Sequence, residues 1–537
     1  MPGPAPTGYS GQRRLIEALL DPGLYPHAVK AVQLVETHIS WVLLAGRYAY
    51  KIKKALNLGF LDFTQLQSRR FYCEEEIRLN RRLAPQLYLD VIAITGSSRQ
   101  PRLGINGDAP AIEYAVRMRR FAAARQMDHQ LARGLVLPYH MDRLAVVMAQ
   151  FHAGLPPAAP DSAYGEPAKI YLPAAQNFAQ LATLLEKTDG AWLSRLQAAC
   201  ELEYAACVSW FEQRRQQGKV RECHGDLHLG NIVLLKDQPT PFDGIEFDPE
   251  LRWIDVMNEI AFLVMDLSQR NRADLAFRFL NGYLETSGDY AGMRVLRFYL
   301  AYRATVRAKI CAIRARQPEL PQQRAQAELA ACRGYLRLAE DSLKSRRPAL
   351  ILMHGLPGCG KTTVAQVALE RLQAIRIRSD VERKRLFGLT PLQASYSGVG
   401  SGIYDADATQ RTYDKLHELA RALLEAGYTV IVDASFNRRS DRARFQQLAN
   451  TMALPFVILN VSASPATLRR RIQQRVLQGS DASEADLAVY QALQAAHEPL
   501  QREEQTAVAD VENDSESAEL GGNMPVWRKL DTLLASA

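Results

Sequence analysis

A chain of mixed α/β and α+β class, built in two parts, is predicted from three observations. Strand-like and helix-like runs alternate after about residue 349, the pattern of a parallel sheet with helices on both faces. Before residue 342, several strand-like runs give way to long helical stretches. Each part also carries its own motif suited to phosphate chemistry. With 537 residues, two to four domains are expected rather than one.

The elements follow in chain order. Residues 1–9 are rich in proline and glycine and carry no apolar core, so they read as disordered and exclude a signal peptide. Trp41–Leu44 and Tyr48–Lys53 are short apolar runs around Ala45-Gly46-Arg47, a hairpin pattern. Gln65–Leu83 reads as a charged amphipathic helix, and Leu87–Ile94 and Ala111–Met118 return to strand character. The stretches 130–222 and 251–343 are mainly helical. Asn231–Leu235 and Pro241–Phe247 between them suggest a hairpin joined by Lys236–Pro239. Ser342–Pro348 is short, polar and basic and ends in proline. It is the expected boundary between domains 1–342 and 349–537. Ala349–Met353, Ala374–Arg378, Thr429–Val432 and Phe456–Val461 then read as buried strands, with helices between them. Residues 502–519, acidic and rich in serine, read as a solvated loop.

The motif at 351–364 is the sharper of the two. Gly355, Gly360, Lys361 and Thr362 stand at the G-x-x-x-x-G-K-[ST] spacing, between a predicted strand and the helical run Thr363–Leu372. Glycines let successive N–H groups converge on phosphates, so the backbone of Gly355, Gly358, Cys359, Gly360 and Thr363 is the expected nucleotide cradle. Lys361 would reach the β- and γ-phosphates, and Thr362 would ligate Mg²⁺. Asp433, after the strand at 429–432, is placed as a second carboxylate for the metal. Asp380 follows the strand at 374–378, where α/β sheets bind ligands. It is a candidate to accept a hydroxyl proton, with helix capping as the competing role. Arg471 and Arg475 are four apart in a basic helical run, so they share a face from which both could close on a transferred phosphoryl group.

The second motif is Cys223-His-Gly-Asp-Leu-His-Leu-Gly-Asn-Ile232, with Asp226 and Asn231 five apart. Asp226 suits a base near an acceptor hydroxyl, and Asn231 a metal ligand. Asp243 is the expected second metal ligand; Glu246, flanked by apolar residues, is its rival. His224 and His228 lack metal-ligand companions and are expected to be structural.

The 349–537 region resembles the P-loop kinases of small molecules and of polynucleotide ends, such as gluconate kinase, adenylylsulfate kinase and polynucleotide kinase. The shared features are the loop, the aspartate after the second strand and an arginine-rich lid helix. The region from about 30 to 340 resembles the aminoglycoside phosphotransferase and choline kinase family, which implies a protein-kinase-like, two-lobed fold. In such folds a strand lysine holds the α- and β-phosphates and pairs with a helix glutamate. Lys51 and Lys53 lie on one strand face, and Glu74, Glu75 and Glu76 follow. Lys53 with Glu76 is one pairing, and Lys51 with Glu74 another. The phosphate-covering glycine loop of protein kinases is missing; the corresponding turn is Glu36–Ser40.

The implied activity is ATP- and Mg²⁺-dependent phosphoryl transfer to small-molecule hydroxyl acceptors, by two kinase domains in tandem. One rival makes the C-terminal part an ATP-hydrolysing regulatory module beside a weak kinase-like domain. The other, less favoured, is a nucleic-acid end kinase, suggested by the net charge of +8. Seven cysteines without C-x-x-C spacing fit a reducing cytoplasm and exclude a zinc ribbon. No apolar run is long enough to span a membrane.

Overall fold

The computed structural model describes residues 9–59, 61–104, 109–345, 347–398, 400–478, 482–484, 486–514 and 525–536. The expectations for residues 1–8, Arg346 and 515–519 lie outside the described residues, as does the side chain of Arg475. Packing divides the chain into two compact units. Unit 1 is 1–174 with 211–266, and unit 2 is 175–210 with 267–537.

Unit 1 begins with helix α1 (Tyr9–Ala18) and a six-stranded sheet. Its strands are β1 (Val32–Glu36), β2 (Ser40–Ala45), β3 (Tyr48–Lys53), β4 (Tyr88–Gly96), β5 (Pro101–Leu103) and β6 (Ala111–Arg119). Their order is β1-β2-β3-β6-β4-β5, with every neighbouring pair antiparallel. The β2–β3 turn needs Gly46, which sits at φ +56 with Ala28 O only 2.7 Å from where a Cβ would stand. Alternation sorts the β3 side chains between two cores. Tyr50 and Ile52 pack with Leu15 and Ile16 of α1 and with Leu19 just after it. Ala49 packs with Cys73 and Ile77 of helix α2 (Leu66–Asn80). Lys51 and Lys53 keep the parity of Ala49 and therefore face α2.

The rest of unit 1 holds helices α3 (Met127–Ala132) and α4 (Pro138–Gly154) and the start of α5 (Pro167–Leu184). It also holds the end of α6 (Gly190–Gln216) and most of α7 (Val256–Gln269). Two short strand pairs lie between them: β7 (Val220–Glu222) with β10 (Trp253–Asp255), and β8 (Ile232–Leu235) with β9 (Gln238–Pro241). A sheet-rich part followed by loops and helices is the protein-kinase-like arrangement expected. The β8–β9 hairpin turns earlier than the sequence pattern suggests. Lys236 and Asp237 both adopt positive φ, 48° and 67°, which makes a two-residue turn. Residues 242–247 are thereby released from the hairpin. Phe242 packs into the α2–sheet core with Val233, Ala49 and Tyr88, which seats residue 243 beside β3.

Unit 2 contains a five-stranded parallel sheet of β11 (Leu350–His354), β12 (Ile375–Arg378), β13 (Val430–Asp433), β14 (Phe456–Ser462) and β15 (Val508–Glu512). Its order is β12-β13-β11-β14-β15, a P-loop NTPase topology. Helices α11 (Lys361–Leu372) and α17 (Pro525–Ser536) cover the face lined by Ile351, Met353, Ile431 and Leu459. Helices α13 (Ala406–Glu425) and α14 (Arg439–Thr451) meet through Tyr413, Phe436 and Phe445. Between these lie α12 (Ser379–Leu386), α15 (Pro465–Gln478) and α16 (Leu487–Ala495). The stretch read as a solvated loop at 502–519 contains β15 instead. Val508, Ala509 and Val511 are buried, and three apolar positions outweigh the acidic composition around them.

Unit 2 also takes in α8 (Ala273–Ser287), α9 (Met293–Ala315) and α10 (Gln322–Leu343). The division in packing therefore differs from the expected break at 342–348. The cause is the open edge of β12. Asn281 of α8 donates to Ala374 O at 2.9 Å and accepts from Arg376 N at 2.7 Å, so one amide satisfies strand groups that no neighbour strand reaches. The polar composition of 342–348 marks a local joint and says nothing of this contact. Among the described residues, no helix is long and apolar enough to cross a membrane, and all seven cysteines are buried and outside any disulfide.

Candidate active sites

In unit 1 the two lysines have different surroundings. Lys51 Nζ donates to Glu76 Oε1 at 2.8 Å and to Asp243 Oδ1 at 2.5 Å. Lys53 Nζ donates to Glu76 Oε2 at 2.8 Å and to Glu246. One α2 carboxylate thus anchors both cations, while Glu74 pairs with Arg70 on the surface. The Lys53, Glu76 and Glu246 side chains are 0%, 0% and 4% exposed, whereas that of Asp243 is 43% exposed. Asp243 therefore faces solvent-accessible space with Lys51, 11% exposed, just behind it, and Lys53 with Glu246 is an internal pair. Asp243 sits at φ +63, and its N–H donates to the Tyr88 hydroxyl at 3.0 Å. Burial raises the Glu76 pKa, but Lys51 and Lys53 outweigh it and hold the carboxyl well below its usual range. Burial raises that of Glu246, and Lys53 only partly offsets the rise.

The 223–231 loop is held from below. Glu259 of α7 accepts from His224 N at 2.5 Å and Gly225 N at 3.0 Å. His224 Nδ1 accepts from Asp226 N at 3.3 Å, so its Nε2–H donates to Phe242 O at 2.9 Å. That bond ties the loop to the segment carrying Asp243. Asn231 Nδ2 donates to Asp226 Oδ2 at 2.8 Å and to Asp226 O at 3.1 Å. This leaves Asn231 Oδ1 as an oxygen donor suited to Mg²⁺. His152, Cys223 and Glu259 lie within 4.8 Å of one another, but the Glu259 carboxylate is engaged by two backbone N–H groups. That trio is a loop support. Asp255 likewise holds Arg214 through two bonds, at 2.7 and 2.8 Å.

In unit 2 the loop between β11 and α11 is cramped enough to require its glycines. A Cβ on Gly355 (φ +136) would stand 2.2 Å from Val461 O, and one on Gly360 (φ +91) 2.2 Å from Asn513 Nδ2. Gly358 is also at positive φ, and Asn513 Nδ2 donates to Cys359 O at 2.8 Å. Lys361 folds back on its own loop, donating to Gly355 O at 2.8 Å and Leu356 O at 3.0 Å. Its ammonium thus already occupies a ring of carbonyls where the loop curls. Thr362 is half-buried, and Thr363 is exposed.

Asp433 closes β13 at 5% exposure. Its Oδ2 has no hydrogen-bond partner, with Arg378 Nε 3.8 Å away. A buried carboxylate oxygen without a donor, on the strand next to the loop, fits a hydrated cation. Asp380 lies in the first turn of α12, but Arg378 holds the capping position, so Asp380 is not the N-cap. Arg471 Nη1 donates to Asn513 O at 2.8 Å and lies 3.7 Å from the Cβ position of Gly360, at the loop's rim.

Sequence reasoning missed Glu259, Asn513 and Arg383. Arg383 is 7% exposed, lies 5.1 Å from the Tyr404 ring centroid, and has an unpartnered Nε. Its place three residues after Asp380 is the signal in the sequence that could have found it. Among tyrosines 396, 404 and 413, Tyr413 is buried, Tyr404 stacks with Arg383, and Tyr396 is 96% exposed.

Comparisons with known proteins agree with this architecture. Residues 72–299 match the family described as "Phosphotransferase enzyme family", and residues 350–500 match "AAA domain". "Uncharacterized protein Rv2004c" of Mycobacterium tuberculosis is 31% identical over 465 residues, covering 86% of this chain and 90% of its own length. The amicoumacin kinase hAmiN is 15% identical with a TM-score of 0.38, covering 62% of this chain and 94% of that one. The adenylylsulfate (APS) kinase CysC of Mycobacterium tuberculosis is 16% identical with a TM-score of 0.25, covering 35% and 98%.

Proposed function

Since the chain belongs to the family of the mycobacterial protein Rv2004c and fuses a phosphotransferase-family region to a P-loop kinase-like region, we propose that it is a bifunctional ATP-dependent kinase. Each site transfers the γ-phosphoryl group of ATP to a hydroxyl acceptor. The observation that carries this reading is Lys51 Nζ lying between Glu76 and Asp243, at 2.8 and 2.5 Å. A lysine fixed between a helix carboxylate and a solvent-facing carboxylate can hold phosphate oxygens next to a metal.

In unit 1, Lys51 holds the nucleotide phosphates, and Asn231 and Asp243 supply the metal ligands. Lys53 and Glu246 keep the strand and loop in place. Asp226 receives the proton of the acceptor hydroxyl. The acceptor oxygen bonds to the γ-phosphorus, and the bond to the β–γ bridging oxygen breaks, leaving ADP. In unit 2, the 355–363 backbone cradles the phosphates, Lys361 leaves its carbonyls for the β- and γ-oxygens, and Thr362 and Asp433 hold the metal. Arg471 and Arg475 serve the transferred group. Asp380 takes the acceptor proton, beside the buried guanidinium of Arg383. When bound, Mg²⁺ neutralises phosphate charge at either site.

A small hydroxyl acceptor is favoured over a nucleic-acid end. Arg69 is spent on Glu113 at 2.9 Å and Arg117 on Asp90 at 2.5 Å, so these two arginines are neutralised internally. The test is a metabolite extract with γ-labelled ATP and the full chain, with Lys51→Met and Lys361→Ala silencing one site each. Each variant should lose a different labelled product. An unchanged product set in both variants refutes the reading.

A further inference from the structure

The carboxylate end of the parallel sheet carries an ion-pair system that the proposed chemistry does not use. Arg376 and Arg378 alternate on β12, both on the face shared with Asp433, since Arg378 is in register with Asp433. Arg378 Nη1 donates to Glu285 Oε1 at 2.7 Å, and Arg376 Nη2 donates to Glu285 Oε2 at 3.1 Å. Arg376 Nη1 also donates to the carbonyl of Thr362 at 3.3 Å. Glu285 comes from α8, one turn beyond Asn281, the residue that closes the β12 edge. The helix is fixed further at its end. Arg385 of α12 donates to Glu285 O, and Gly288, at φ +71, passes so close to Arg385 that a Cβ would meet its Nε at 2.9 Å.

Two guanidinium groups beside a cation site repel the cation unless they are neutralised. Glu285 supplies a single carboxylate bound to both. Arg378 Nε still stops 3.8 Å from Asp433 Oδ2, beyond hydrogen-bond distance, and that oxygen has no other partner. With the Glu285 charge removed, Asp433, whose Oδ2 lies 3.8 Å from Arg378 Nε, is a carboxylate within reach of Arg378. A full Arg378–Asp433 pair would occupy the carboxylate that the metal needs.

We propose that Glu285 is a positioning residue for the metal site of the P-loop. It holds Arg378 away from Asp433, and it steadies, through Arg376, the backbone of Thr362. Glu285 lies inside the 72–299 match to the phosphotransferase family, whereas the P-loop match begins at residue 350. The metal affinity of one motif thus depends on a helix that belongs, by sequence, to the other. The inference rests on the reading of unit 2 as a site for Mg²⁺ and ATP.

The test is equilibrium binding of a fluorescent ATP analogue to the full chain, titrated with Mg²⁺, in a Lys51→Met background that silences unit 1. Outer-shell changes typically cost about 10–100-fold in metal affinity. Glu285→Gln should raise the Mg²⁺ concentration for half-maximal binding by about tenfold. Nucleotide affinity without metal should hold. Adding Arg378→Gln should restore the metal requirement to within about threefold, because the competing cation is gone. Arg378→Gln alone, in which Glu285 keeps Arg376, should leave the requirement unchanged or lower it. This variant decides the matter if Glu285→Gln does not fold. An unmoved requirement in Glu285→Gln, an equal shift in the single and double variants, or a raised requirement in Arg378→Gln alone overturns the proposal. The underlying reading fails separately: in that case Lys361→Ala binds the analogue as tightly as its parent at every Mg²⁺ concentration.

Discussion

The two sites solve one problem with different materials. Unit 1 fixes the lysine proposed to hold phosphate with side chains: Lys51, Glu76 and Asp243 are separated by 25 and 192 positions in sequence, yet lie within 2.8 Å contacts. Unit 2 fixes its lysine with backbone: Lys361 bonds carbonyls only six and five residues away. The first site is charged before any ligand arrives, its cations already matched by buried carboxylates. The second presents curled main chain and one buried carboxylate oxygen, on Asp433, that has no hydrogen-bond partner. A site of ion pairs should fail by losing charge balance, and a site of backbone by losing shape.

The largest contrast concerns chemistry. Asp226→Asn should leave unit 1 folded and able to bind nucleotide, while the labelled product of unit 1 falls by about 10²–10⁴-fold. The product of unit 2 should not change. Product measurements on the full chain check both, and equal loss of the two products would erase the separation. Asp226 accepts a hydrogen bond from Asn231, so the amide must be tolerated without unfolding, which a circular dichroism melt verifies.

The next effect is on stability, and it separates two lysines two residues apart. Lys53→Met leaves Glu246 buried without its cation. Breaking a buried pair from one side costs about 3–5 kcal/mol. Lys51→Met is milder, because Glu76 keeps Lys53 and the Asp243 side chain is 43% exposed. Its stability cost should be the smaller of the two, while nucleotide binding at unit 1 is lost. Urea unfolding of both variants gives the comparison. Equal destabilisation would mean that the two lysines are interchangeable supports.

These lysines also show what a sequence reader can see. The strand face shared by Lys51 and Lys53 follows from a period of two, and so do the strands of unit 2. Which lysine faces Asp243 depends on where Phe242 packs, in a core shared with Ala49 and Tyr88 that no local pattern encodes. Asp243 and Glu246 were rivals for the same reason. The P-loop was legible because its partners are its own neighbours. Asn513, which shapes that loop through Cys359 O, was not, since it arrives from β15, a strand masked by acidic composition. The helix α8 was read as part of the first domain, because sequence order is silent about which sheet edge a helix covers.

A smaller effect tests the backbone side of the comparison. Gly360→Ala puts a Cβ 2.2 Å from Asn513 Nδ2 at a backbone φ of +91. The strain should cost about 1–3 kcal/mol and displace Asn513 from Cys359 O. Nucleotide binding at unit 2 should fall although no charged group has changed. A chain with Gly360→Ala that binds as well as its parent would show that the cradle adapts.

The last test is a pH slope beside the same loop. His354, the residue before Gly355, is 3% exposed. Its Nδ1–H donates to Asn460 Oδ1 at 2.8 Å, because Asn460 Nδ2 is occupied by Asp510. Burial lowers its pKa to about 4, and nearby Arg442, His497 and Lys361 push in the same direction. The unfolded chain titrates near 6.5, so between about 6.5 and 4 the unfolded state binds the extra proton. Stability from this residue is therefore complete above pH 6.5 and is lost as the pH falls towards 4. The slope is about 1.4 kcal/mol per pH unit, and about 3 kcal/mol in total. His497, 5.2 Å away and also lowered by burial, adds a parallel slope. Subtracting the unfolding curves of His354→Gln from those of the parent isolates the His354 part. A difference that is flat from pH 4 to 6.5 would mean that His354 already carries its proton in the folded protein, or gains a partner for Nε2 when it does.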